Sequence, residues 1–284
     1  MNLKKISLKQ IREFSRTSPV YFSLGFTLLV ALLNQVFANI FHLLPHNIWM
    51  DILNEVVFLI WPAALVVVFG YSFCFRQRGI RKTFGAALPV FLLYGIIVLS
   101  QAGTKIADPA THWNSDLEIF YGVLMLLGIG IREELLFRGV ITNAISFKYA
   151  GSTKGLWITA LCSGAMFGAV HLSNVFTGAS FTGALIQAIG CFGGGVLMCA
   201  IYLRGGSIWV MALLHSLINA TGTVEVLFTN GAGDLASVIS GYGVMEIIHL
   251  VLDLLLAAFL LRKSKRQKIY DRFQQLNSLE EANS

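Results

Sequence analysis

Eight apolar runs, each close to the roughly 20 residues that a helix needs to cross a bilayer, dominate this chain of 284 residues. They lie at about residues 20–44, 52–75, 84–102, 117–137, 156–175, 181–203, 207–228 and 238–261. With 56% hydrophobic and 13% charged residues, the chain has about half the charged fraction usual for a soluble domain. Its mean hydropathy is +0.70. The fold class expected is all-α: a polytopic transmembrane helical bundle of about eight spans. The net charge of +6 does not argue for nucleic acid, because the basic residues sit in short clusters between the apolar runs. These clusters fall in the N-terminal segment (Lys4, Lys5, Lys9, Arg12, Arg16), at residues 76–82, around 138–154, at Arg204 and at residues 262–268. The alternate loops carry acids instead, among them Asp51, Asp108, Asp116, Glu118 and Asp234, with Lys105 the main exception. The positive-inside rule then places both termini in the cytoplasm, as an even number of spans requires. The chain is expected to be a multi-pass protein of the cell membrane.

The organisation expected is a basic cytoplasmic segment at 1–18, a transmembrane bundle at 19–262 and a cytoplasmic tail at 263–284. No cleavable signal is expected, since a long apolar run, not a short one with a small-residue cleavage site, follows the N-terminal cations. The first 18 residues suit a short interfacial helix or a basic tail. Cys74, Cys162, Cys191 and Cys199 form no CxxC pair and read as small buried hydrophobes. Gly164 and Gly168, and Gly190 and Gly194, are spaced one turn apart, which lets helix backbones approach closely.

Charges inside the apolar runs are costly and call for partners. Residues 131–139 read IREELLFRG. On a helix Glu134 and Arg138 are at i and i+4, share a face and are expected to pair. Glu133 points about 100° away, open to influence from Arg132 or Arg138, and is the general-base candidate. His171 lies in FGAVH, with Phe167 one turn earlier on its face. His215 lies in HSLIN, with Asn219 at i+4. A His and an Asn on one face can present donors to an oxyanion, or simply bond a neighbouring helix. The fourth and fifth runs form a hairpin turning near Gly151 and Ser152, and Glu133 and His171 are about equally far from that turn. Both should therefore sit at the same height, where His215 can join them if the spans are neighbours.

EELLFR, FGAVH and HSLIN, in this order and spacing, resemble the EExxxR, FxxxH and HxxxN motifs of the CPBP family of intramembrane proteases, which includes the type II CAAX prenyl endopeptidase and bacterial Abi proteins. The resemblance covers about residues 117–222. It implies peptide-bond hydrolysis in the membrane, of a membrane-bound peptide or protein. Prenylated protein processing, peptide maturation and bacteriocin self-immunity are all within its range. Glu133 with His171 would activate a water, His215 with Asn219 would stabilise the oxyanion, and Glu134, Arg138 and Phe167 would support the site. One carboxylate and two imidazoles, Glu133, His171 and His215, are also a possible zinc set. Without an HExxH, and with an Asn beside His215, metal-independent chemistry is favoured and no cofactor is expected.

A rival constellation lies in the last run. Glu246, His249 and Asp253 form one polar stripe at i, i+3 and i+7, and Glu55 and Glu225 add acids elsewhere. A stripe packed and hydrogen-bonded within the bundle is the favoured reading. A proton-coupled transporter, or a non-catalytic immunity or scaffold protein, is the alternative to a protease.

Overall fold

The computed structural model describes residues 7–44, 47–76, 79–228 and 235–281. Lys4, Lys5 and Asp234 lie outside them, as does the side chain of Glu225. The described chain is all-helical. Its helices are α1 (Leu8–Thr17), α2 (Pro19–His42), α3 (Ile48–Val68), α4 (Ile80–Ala107), α5 (Asp116–Glu134), α6 (Asn143–Tyr149), α7 (Thr153–His171), α8 (Phe181–Gly205), α9 (Ile208–Thr223), α10 (Leu235–Ser240), α11 (Val244–Leu260) and α12 (Lys263–Glu281). Each of the eight apolar runs contains one helix of 16 residues or more. Five helices are long and apolar enough to cross a membrane, or six if α11 and the start of α12, bent by 74°, are taken as one span. Even with that sixth span counted, two runs fall short of the measure. Helix α5 ends in Arg132, Glu133 and Glu134, and α9 is short.

Local signals set the helix starts. Ser115, Ser152, Ser180 and Ser207 each accept a hydrogen bond from the backbone N–H three residues on, opening α5, α7, α8 and α9. Gly206, at φ 89°, closes α8 in the left-handed region and starts the turn into α9. Pro62 and Pro89 lie inside α3 and α4, a placement that membrane bundles tolerate.

The basic segments gather at one end of the bundle. Arg12 of α1 donates to the Val68 carbonyl at 2.8 Å, and Arg16 sits over the Phe147 ring at 3.7 Å. Helix α12 covers the same end, with Ile269 and Phe273 buried and Arg272 donating to the Tyr202 carbonyl at 3.0 Å. The N-terminal segment is thus a helix docked on the bundle, and so is most of the C-terminal tail.

Close packing on α8 brings three helices together. A Cβ on Gly168 would lie 2.5 Å from the Ala188 carbonyl oxygen, one on Gly195 2.9 Å from Gly164 Cα, and one on Gly193 2.8 Å from Leu250 Cα. Gly168→Ala should therefore force α7 from α8. A loss of about 1–3 kcal/mol, the usual range for overpacking, is expected as a lower melting temperature of the detergent-solubilised protein. An unchanged melting temperature would show that α7 does not need this approach.

Candidate active site

The site is built where α5 stops being a regular helix. Residues Leu135–Thr142 continue it as π-helix, every residue of which is buried. A π segment widens the helical turn and often marks a functional position. At its edge Glu134 and Arg138 pair at 2.9 Å, both side chains fully buried. Arg138 also donates to the Gly195 carbonyl at 3.2 Å and lies over the Phe167 ring at 5.0 Å.

His215 reaches this pair from α9. Gly130 permits it, since a Cβ there would lie 2.6 Å from the Ala212 carbonyl oxygen on α9. His215 Nδ1 is 2.8 Å from the same Glu134 oxygen that Arg138 holds. A carboxylate paired with a guanidinium only accepts, so His215 Nδ1 carries the proton. Its Nε2 then points to Glu133, 3.4 Å from Oε2. Glu133 is the more open of the two glutamates, its side chain 21% exposed against 0% for Glu134.

His171 is fixed by its own helix. Its Nδ1 is 2.7 Å from the Phe167 carbonyl, again an acceptor only, so Nδ1 carries a proton and Nε2 is the ring nitrogen left for a reacting group. The Phe167 ring packs edge-on against His171 at 4.8 Å and His215 at 5.6 Å. It is the wedge that sets the two imidazoles apart. Glu133 is near enough to His171 for electrostatic attraction, and Cys191 is in hydrogen-bonding reach of the ring.

One cavity of about 870 Å³ brings these groups together: Glu133, Phe167, His171, His215 and Asn219 all line it. Glu134 and Arg138 stand behind its wall. The geometry differs in one respect from the pairing expected of the sequence, because the imidazole nearest Glu133 is His215 and not His171. The α11 stripe is no separate constellation either. Glu246, His249 and Asp253 line the same cavity, and Glu246 also accepts from the Gly243 N–H at 2.7 Å, capping α11. Glu55, Arg132 and Cys191 line it too. Cys191, read from the sequence as a small buried hydrophobe, is only half-buried and stands in the cavity wall. Among the described residues, no three His, Cys, Asp or Glu side chains form a group that could hold a metal ion, the set Glu133, His171 and His215 included.

An apolar helical bundle with carboxylates and imidazoles around one cavity defines a multi-pass membrane protein with a polar site among its helices. Residues 115–221 match the family model for type II CAAX prenyl endopeptidase Rce1-like proteins. The match supports the CPBP family of intramembrane proteases and covers all three motifs. No curated protein and no solved structure matches the chain significantly.

Proposed function

We propose that the chain is an intramembrane endopeptidase that hydrolyses a peptide bond in a membrane-associated substrate, with prenylated chains the first class to test. The observation that carries this reading is that Glu133, His171, His215 and Asn219, from three separate segments, line one cavity inside an apolar bundle. Glu133 and Nε2 of His171 would hold a water, and Glu133 would take its proton as the oxygen attacks the carbonyl carbon. The oxyanion so formed would accept from the Asn219 amide and from His215 Nε2, the latter in its protonated form. Glu134 accepts from His215 Nδ1–H and orients the ring, as a buried carboxylate does behind a catalytic imidazole. Collapse breaks the C–N bond, and the proton returns to the leaving amine. The basic end of the bundle, with both terminal helices, would face the cytoplasm.

No step of this scheme draws on a metal. Purified active protein is expected to lack stoichiometric metal and to survive chelation. Activity lost to a chelator and restored by zinc would overturn the metal-free scheme. The function itself is tested by comparing membrane peptides from cells carrying the natural chain or Glu133→Gln. A precursor should accumulate in the variant. If none does, and only Glu246 or Asp253 substitutions alter the cell, the transporter reading replaces this one.

A further inference from the structure

One charged residue of the cavity has no part in the hydrolytic scheme. Arg132 immediately precedes Glu133, so helical geometry turns its side chain about 100° from that carboxylate. It lines the cavity and lies over the Phe58 ring at 4.8 Å. Of the described residues lining the cavity it is the one Arg or Lys, among the acids Asp51, Glu55, Glu133, Glu246 and Asp253. Among the described residues it forms no ion pair within 4.0 Å. Arg138, six residues on, is by contrast tied through both terminal nitrogens, to Glu134 and to the Gly195 carbonyl.

Glu55 of α3 is the acid whose field acts on Arg132. It is 8% exposed, lines the same cavity and has a buried oxygen, Oε2, with no hydrogen-bond partner. Among the described residues neither side chain has a hydrogen bond or an ion pair within 4.0 Å; Arg132 rests on the Phe58 ring and meets Glu55 only through its field. A guanidinium kept in a low-dielectric cavity with its fork open is a receptor for a planar anion, above all a carboxylate. A peptide substrate carries one such group at its C-terminus, and among the described residues no other Arg or Lys lines the cavity to meet it.

We propose that Arg132 receives the free C-terminal carboxylate of the substrate and so sets how far from the chain end the bond is cut. The assignment rests on the endopeptidase reading. Two side chains from adjacent helical positions diverge into separate sectors of one wall. A short extended peptide, at roughly 3.3 Å per residue, bridges such sectors in a few residues. Arg132 is then a specificity-determining residue: it binds the end of the leaving fragment and takes no part in bond breaking. Glu55, repelled by the same carboxylate, weakens binding of any acid that does not engage the guanidinium fork.

The test uses the full chain in nanodiscs and two probes, a fluorescent farnesylated peptide with a free C-terminal carboxylate and the same peptide as its C-terminal amide. The natural chain should cleave the acid with a kcat/KM at least about tenfold above the amide, in keeping with a charge-assisted bidentate contact. Arg132→Gln should bring that ratio close to one, Arg132→Lys should keep part of it, and Glu55→Gln should tighten binding of the acid. A purely structural role for Arg132 would lower both rates and leave their ratio intact. Equal cleavage of acid and amide by the natural chain, or an unchanged ratio in Arg132→Gln, overturns the proposal. Equilibrium binding of both probes to Glu133→Gln separates the two readings. Preferred binding of the acid without any hydrolysis by the natural chain would sink the endopeptidase and leave Arg132 as a carboxylate receptor. Failure of the acid to bind would sink the receptor.

Discussion

Glu133→Gln and His171→Ala should each lower hydrolysis by about 10²–10⁴-fold, the range for loss of a general base, in a protein that still inserts and melts normally. The reason lies in their setting. Glu133 is part-exposed to the cavity, and its nearest side-chain partner among the described residues, His215 Nε2, is 3.4 Å away, so the isosteric amide costs little structure. His171 is held through Nδ1 by its own helix and offers Nε2 alone to a reacting group. If both hold the same water, their effects are not additive, and the double variant should fall little further than either single one. The check is single-turnover cleavage of a labelled membrane peptide by purified protein. Full multiplicative loss would mean that the two side chains act in separate steps. Retention of activity in Glu133→Gln would remove it from the chemistry altogether.

The ion pair behind the site carries the second large effect, on folding more than on rate. Arg138 and Glu134 are both fully buried, and Arg138→Met would leave a carboxylate in the bundle with His215 as its remaining partner. Breaking such a pair from one side costs about 3–5 kcal/mol, and little folded protein is expected. Replacing both members, as Glu134→Leu with Arg138→Met, removes the orphaned charge and should restore much of the lost stability. It should not restore hydrolysis, because His215 Nδ1 then has no acceptor and its ring is free to turn. Melting temperature and cleavage rate, measured together, decide this. Recovery of both would show that Glu134 has no part in orienting His215.

How much of this was legible in the chain depends on how local each feature is. The helices follow from apolar runs bounded by Ser caps, and the Glu134–Arg138 pair from i,i+4 spacing. Equal spacing from the hairpin turn places Glu133 and His171 at one height for regular α-helical arms, whereas the chain between Glu134 and Asn143 is π-helical. No residue pattern marks that π segment. The contacts that join distant helices were the least legible. Glu134 and His215 are 81 positions apart, and their hydrogen bond needs α9 to press on Gly130. The α11 stripe showed its period in the sequence, but not that its face shares the cavity with Glu133. Arg132 stood beside the motif in plain sight. Its open guanidinium is a property of what surrounds it in three dimensions.

The pairing of Glu134 with a cation four residues along its own helix bears on how such a chain is made. A carboxylate whose counter-ion came from another span would have to wait, unpaired in lipid, until that span arrived. Here the neutralising partner is synthesised within one turn and is in place as soon as the helix forms. Residues 132–138 hold two acids and two bases, so the segment enters the bilayer with no net charge. This charged stretch of the bundle can therefore be delivered to the membrane early, before α7 and α9 exist to shelter it.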